Sequence, residues 1–147
     1  MSLILCGTWK MSYCQSFDVD GNELENPFNG GTGIISYGED GMMATQIMKK
    51  SYEKSIVGNK KHASLSDYKT AFESYIAYFG SYNINKEDNT VNHLVQGSLW
   101  PNLIGLTLAR RFEFKDSGNT IVLSTLEAEP YIEDKKIIQS FAWTKVR

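Results

Sequence analysis

Residues 5–19 read LCGTWKMSYCQSFDV, and most of their larger apolar side chains fall on odd positions, while polar or small residues fill most even ones. A period of two puts successive side chains on opposite faces of a β-strand. The stretch therefore predicts one long strand with a single buried face. That face carries Leu5, Gly7, Trp9, Met11, Tyr13, Gln15, Phe17 and Val19.

Further strand patterns follow, separated by residues that favour turns. Glu39-Asp40-Gly41, Lys86-Glu87-Asp88-Asn89 and Asp116-Ser117-Gly118-Asn119 are three such turns, and each predicts a hairpin between its flanking strands. We therefore expect eight strands in meander order. After the first, they are predicted at residues 34–37, 42–48, 81–85, 90–98, 104–114, 120–126 and 136–146.

One segment has helical spacing instead. Ser64 is suited to be the N-cap and Asp67 stands at the third helical position, a near variant of the capping box. The pattern predicts an amphipathic helix over about 65–78, ended by Gly80, after a basic connecting loop over 49–63. Its expected buried stripe is Tyr68, Ala71, Phe72, Tyr75, Ile76 and Phe79.

These elements predict a mainly β protein. An open antiparallel sheet would leave two long apolar edges, whereas closure into a barrel removes them. We expect an eight-stranded antiparallel up-and-down β-barrel with one inserted helix, forming a single domain over residues 1–147. The 12% aromatic content fits the filling of such a barrel, and a net charge of −2 gives no general reason to bind nucleic acid or an anionic membrane.

The cysteines and the N-terminal sequence bear on the compartment. Cys6 and Cys14 lie eight residues apart in one predicted strand, hence about 26 Å apart, too far for a disulfide. No stretch has the length of a membrane span, and residues 3–6 are too short for the apolar region of a signal peptide. These features predict reduced thiols and a cytoplasmic location.

Several motifs resemble the bacterial and fungal lipocalin-like domain family. Gly7-Thr8-Trp9 matches the G-x-W signature of lipocalins, and the blocks 75–80 and 93–105 match the family in order. The resemblance implies a calycin-type barrel, with no established reaction in most members. It also implies that a basic residue of the last strand, Lys145 or Arg147, packs over Trp9.

Arg110 is the most informative candidate for function. Its position in the alternation places it on the same face as Leu108 and Phe112, so a guanidinium is expected to enter an apolar interior. An unpaired buried charge is costly, so Arg110 needs a partner. That partner is either a carboxylate, with Glu73 as the first candidate, or a carboxylate or enolate oxygen of a ligand. The remaining alternative is a strand bulge that turns Arg110 outward.

His93 shares a face with Val91 and Val95. It is either a core histidine hydrogen-bonded to backbone or to a tyrosine, or a general base in a cavity. Gln46, Tyr82 and Tyr13 are candidates for orienting hydrogen bonds, and each fits the core equally well. Trp143, on the apolar face of the last strand, is a further candidate ligand contact.

Other candidates have structural explanations. Trp9 is expected to plug one end of the barrel, and Gly80, Gly97 and Gly105 are expected at strand bends or in tight packing. The histidines lack metal-ligand spacing, and there is no P-loop, nucleophile elbow or dinucleotide motif, so we expect neither a metal nor a cofactor.

Three functions remain open from the sequence. The first is binding of a small, largely apolar molecule, with or without an acidic group, inside the barrel. The second is an isomerase or cyclase of secondary metabolism that uses the barrel as a reaction chamber, with His93 as acid/base, Arg110 as electrostatic stabiliser and Glu73 as its partner. The third is a structural or partner-binding domain, for which a homodimer is one form.

Overall fold

The computed structural model describes residues 4–52, 54, 58–126 and 137–147. Nine strands form one antiparallel sheet in the order β2-β1-β3-β4-β5-β6-β7-β8-β9, and β1 also pairs with β9. This pairing closes a barrel of eight strands, as predicted, with the two-residue β2 added beside the end of β1. The strands are β1 Gly7–Phe17, β2 Glu23–Leu24, β3 Thr32–Tyr37, β4 Met42–Met48, β5 Tyr75–Asn85, β6 Thr90–Ser98, β7 Thr107–Lys115, β8 Thr120–Thr125 and β9 Ile138–Lys145.

The long first strand serves both sides of the closure. Its N-terminal part pairs with β3, for example Trp9 with Ile35, while nearly its full length pairs with β9. The register with β9 shifts between Met11 and Tyr13. A bulge of this kind bends a strand and turns the side chains that follow it to the other face. Beyond the shift Cys14 is buried and Tyr13 is exposed, so the prediction of one buried face at the odd positions is wrong after Met11.

The connections make the two ends of the barrel different. At the end that we call the closed end, β3–β4, β5–β6 and β7–β8 are joined by the short turns 38–41, 86–89 and 116–119. The other end, which we call the open end, has the longer connections between β4 and β5 and between β6 and β7. These carry helix α1, Leu65–Glu73, and a short 3-10 helix, Pro101–Leu103.

Helix α1 begins where the sequence predicts but ends earlier. The Ser64 side chain accepts a hydrogen bond from the Asp67 backbone and Asp67 accepts one from the Ser64 backbone, so the capping box is complete. The helix ends at Glu73, and residues 75–79 belong to β5, where Met48 pairs with Tyr75. The helical prediction for 74–78 is therefore wrong, because β5 gains backbone partners in β4 and β6 and aromatic residues suit a strand.

The expected apolar stripe of the helix is also not buried. None of the residues of α1 is buried, and Tyr68 and Phe72 are largely exposed. The predicted loops fall partly on residues 53, 55–57 and 127–136, which lie outside the described residues. In the described part of the chain, no helix has the length and apolar character that spanning a membrane requires.

Trp9 is buried at the closed end of the barrel. It is fully buried, and its Nε1 donates a hydrogen bond to the Leu5 carbonyl oxygen at 2.9 Å. Lys145 Nζ lies 5.2 Å from the centre of the Trp9 ring, within the range of a cation–π interaction. Of the two basic residues that the resemblance implied, Lys145 is thus seen over Trp9.

Glycine is required for different reasons at the three positions that we predict to be structural. A Cβ on Gly80 would lie 1.9 Å from the Leu94 carbonyl oxygen, and a Cβ on Gly97 would lie 2.3 Å from the Phe79 ring. Both positions are tight packing sites, as expected. Gly105 instead has φ of +87°, and a Cβ there would have no neighbouring atom within 4 Å, so this glycine serves a left-handed turn.

Candidate ligand cavity

The open half of the barrel contains a cavity of about 360 Å³. The strands reach it from several sides because alternate residues of each strand point inward. Most of its wall is apolar or aromatic. Representative wall residues are Ile35, Ile47, Leu108, Leu123, Phe141 and Trp143.

The cavity extends to the surface beside helix α1. Phe72 of the helix and Trp100 of the β6–β7 connection both line it, and they are 41% and 43% exposed. Their rings meet edge to face with centroids 6.0 Å apart. This aromatic pair marks the mouth of the cavity.

His93 lies in the wall of the cavity and is fully buried. Its Nε2 is 2.7 Å from the Tyr37 hydroxyl oxygen, and its Nδ1 is 2.8 Å from that of Tyr78. Burial, aided by the positive charge of Arg110, lowers the pKa of His93 from 6.5 to about 3. The imidazole is therefore neutral at physiological pH, and both of its nitrogens are engaged by tyrosines.

Arg110 lines the same cavity and is partly buried. Val91 pairs with Arg110 and Leu108 pairs with His93, so the two side chains are diagonal neighbours on one face of the sheet. One guanidinium nitrogen, Nη1, donates to the Ala109 carbonyl oxygen at 3.1 Å. Glu73 also borders the cavity, at the exposed end of α1, and its pairing with Arg110 stays a prediction.

Trp143 is a buried side chain in the wall whose polar atom has no partner. It is 2% exposed, and its Nε1 has no hydrogen-bond partner in the described structure. Its ring stacks on Phe141, with centroids 6.2 Å apart and planes 21° apart. The fold thus holds this indole firmly while leaving its N–H without an acceptor.

Three predicted contacts lie away from the cavity. Gln46 is exposed on the outside of β4, where its side-chain oxygen accepts a hydrogen bond from the Tyr75 hydroxyl. Tyr82 is buried, but its hydroxyl donates to the Gly38 carbonyl oxygen at 2.8 Å in the turn at the closed end. Tyr13 is largely exposed, and none of the three lines the cavity.

The sequence pattern does not reveal Tyr37 and Tyr78, the two partners of His93. The helical prediction for 74–78 hides the inward direction of Tyr78. A strand assignment places it opposite Thr45, an inward residue of β4. Tyr37 lies within a predicted strand, but nothing in its local sequence indicates which residue lies across the barrel.

Metal chemistry has no clear site here. Within the described residues, no group of three histidine, cysteine or carboxylate side chains is placed to hold a metal ion. Cys6 and Cys14 are both free thiols, as predicted.

A closed eight-stranded meander barrel, with a buried tryptophan at one end and an apolar cavity that opens at the other, is the architecture of a calycin-type β-barrel. The family model of the lipocalin-like domain matches residues 6–146, and the chain belongs to that family. A search of curated proteins finds no match to the chain.

Proposed function

We propose that the protein binds a small, largely apolar molecule in the cavity at the open end of the barrel. The observation that carries this proposal is the cavity itself, whose volume of about 360 Å³ lies in the range of small-molecule sites. An eight-stranded barrel is narrow enough to be filled entirely by side chains, so an interior space of this size is a specific feature of the chain.

The wall supports an apolar ligand. Aliphatic side chains of β3, β4, β7 and β8 and the stacked pair Phe141 and Trp143 surround the space. Removal of apolar ligand surface from water is worth about 25 cal/mol per Å². The membership in the lipocalin-like domain family fits small-molecule binding in general.

Binding accounts for the site better than proton-transfer catalysis. A general acid or base works best when its pKa lies near the operating pH. The pKa of His93 is lowered to about 3, and both ring nitrogens are already hydrogen-bonded to tyrosines. The isomerase or cyclase alternative would therefore have to rely on groups other than His93.

The compartment is part of the same proposal. Free thiols persist where the cytosolic reductants keep cysteine reduced. Cys6 and Cys14 are both free and form no disulfide with each other. This supports the proposed cytoplasmic location, and the homodimer expected from the sequence stays a prediction.

Naphthalene, a rigid apolar molecule without hydrogen-bonding groups, tests the proposal. It is expected to raise the unfolding temperature in proportion to occupancy, since ligand at about 100 times its Kd stabilises by about 2.7 kcal/mol. The inward Leu123→Trp variant should fill the cavity and abolish this shift, whereas Val122→Trp, outside the cavity on the same strand, should retain it. Equal shifts in a well-folded Leu123→Trp variant would overturn the proposal.

A further inference from the structure

The buried polar atoms of the barrel are nearly all paired within the protein. Among the residues that the structure describes, Trp143 Nε1 is the one buried side-chain nitrogen or oxygen atom without a hydrogen-bond partner. The packing around the indole leaves almost none of this nitrogen accessible, so no ligand atom in the cavity reaches it. A polar ligand group inside the cavity would therefore compete with bonds that the protein already makes.

Two buried polar residues of the cavity wall show this pairing directly. Both ring nitrogens of His93 are engaged, Nε2 by the Tyr37 hydroxyl at 2.7 Å and Nδ1 by that of Tyr78 at 2.8 Å. The hydroxyl of Thr45 donates to the Ile34 carbonyl oxygen at 3.0 Å. A neutral imidazole has one donor and one acceptor, so His93 has no hydrogen-bonding capacity left for a ligand.

Other polar side chains of the wall are engaged as well. Thr125 Oγ1 accepts a hydrogen bond from the Gln139 backbone at 2.9 Å, and Arg110 Nη1 donates to the Ala109 carbonyl oxygen at 3.1 Å. Tyr78 and Arg110 each have a further interaction within the protein. A ligand oxygen or nitrogen at this depth would displace one of these bonds or stay unpaired, and both weaken binding.

The mouth of the cavity offers the opposite environment. The rings of Phe72 and Trp100 are partly exposed there, and Glu73 borders the cavity at the exposed end of α1. Lys49 Nζ lies 5.5 Å from the centre of the Phe28 ring, which also lines the cavity. A polar ligand group at the mouth keeps its bonds to water, so it loses none of the hydration that the interior would remove.

We infer that the ligand is an amphiphile with a single polar end: its apolar body fills the cavity, and its polar end stays at the mouth beside Phe72 and Trp100. The inference rests on the proposed function and narrows its ligand class by the position of the polar group. A molecule with polar groups at both ends has to bury one of them among side chains that are already paired. Such a molecule is therefore discriminated against.

Two isomers of one compound test the position of the polar group. In 2,3-dihydroxynaphthalene both hydroxyls are at one end of the rings, whereas 2,6-dihydroxynaphthalene has one at each end. Calorimetric titration of the wild-type protein should give a Kd for the 2,3 isomer that is lower by about tenfold or more, the scale of one unpaired buried hydroxyl. The partition of each isomer between water and octanol, measured alongside, corrects for their different hydration.

Ile35 then tests the depth at which the second hydroxyl is buried. Its side chain lines the cavity and is 2% exposed, and it pairs across the sheet with Trp9 of the closed end. Ile35→Thr adds a hydroxyl to this deep wall, whereas Ile35→Val has the same shape without the hydroxyl. The ratio of the two diol Kd values should be smaller in the threonine variant than in the valine variant, by about threefold.

The possible outcomes are distinct. Equal corrected Kd values for the two diols in the wild-type protein, or tighter binding of the 2,6 isomer, would overturn this inference and leave an apolar site intact. Binding of naphthalene but of neither diol, or equal ratios in folded Ile35→Thr and Ile35→Val, would overturn it as well. If either variant folds poorly, the wild-type comparison decides alone. Failure of naphthalene and both diols to bind would overturn the proposed function and this inference with it.

Discussion

The two ends of the barrel use the same kinds of residues for different purposes. At the closed end, Trp9 is fully buried, its N–H is paired with Leu5 and its ring lies beneath Lys145. At the open end, the rings of Phe72 and Trp100 are 41% and 43% exposed and line the mouth of the cavity. The comparison shows that buried, well-partnered aromatic residues form the structural end, whereas partly exposed aromatic residues border the end that the proposed function assigns to a ligand.

The connections reinforce this difference. The closed end has turns of four residues, which keep the strand ends together. The open end carries α1, none of whose residues is buried, together with the aromatic pair Phe72 and Trp100. Elements with little buried surface contribute little to stability, and for that reason they are available for binding.

The largest expected effect comes from truncating an aromatic residue at each end. Trp9→Ala should lower the free energy of unfolding by about 3–5 kcal/mol, because it empties a fully buried site. Phe72→Ala should cost less than about 1 kcal/mol, since its ring is largely exposed, but it should weaken naphthalene binding. Urea unfolding measures both, and equal losses of stability would break the distinction between the ends.

The second prediction concerns the dependence of stability on pH and on His93 in the cavity wall. The pKa of His93 is lowered from 6.5 in the unfolded chain to about 3 in the folded one, so between these values only the unfolded chain binds the proton. The contribution of His93 to the free energy of unfolding is therefore complete above pH 6.5 and is lost as the pH falls. Between pH 7 and pH 5, the titration of His93 should lower the free energy of unfolding by about 2 kcal/mol.

His93→Gln supplies the control for that measurement. The variant does not titrate at this position, so its unfolding free energy should depend less on pH than that of the wild-type protein over the same range. Subtracting the two pH profiles removes the contributions of the carboxylates. Parallel profiles would show that His93 takes up its proton as readily when folded, contrary to its placement between Tyr37 and Tyr78.

The smallest expected effect belongs to the closed end. Lys145→Met keeps much of the side-chain length but removes the charge over Trp9, and should cost about 0.5–1 kcal/mol. Lys10→Met, at an exposed position of β1, is the matched control and should change stability by less than about 0.5 kcal/mol. Chemical denaturation measures the stability of both variants. If only Lys145→Met is destabilised, Lys145 stabilises the closed end through its contact with Trp9.

Local patterns are enough to predict most of the fold. Period-two alternation and turn residues locate the strands and the closed barrel, and Ser64 with Asp67 locates the start of α1. The predicted end of α1 is wrong because Tyr75, Ile76 and Phe79 satisfy a helical period as well as a strand. The pairing of β5 with β4 and β6, which decides between the two, is a long-range property.

The candidate site is predicted less completely for a related reason. Parity along single strands places His93, Arg110 and Trp143 inward, and all three line the cavity. The partners of His93 come from β3 and β5, and only the closed barrel brings them together. The unpaired Nε1 of Trp143 is likewise invisible in the sequence, because it depends on which acceptors the folded wall leaves over.

The most direct test of the proposed ligand site is a proton–nitrogen correlation spectrum of the labelled protein during a titration with naphthalene. The chain has 3 tryptophans, so three indole N–H signals report on the closed end, the mouth and the cavity at once. We predict that the Trp143 and Trp100 signals shift, because both residues line the cavity, while the Trp9 signal stays in place. Saturable binding that leaves the Trp143 and Trp100 signals unmoved, or that moves the Trp9 signal instead, would contradict the assignment of the cavity as the ligand site.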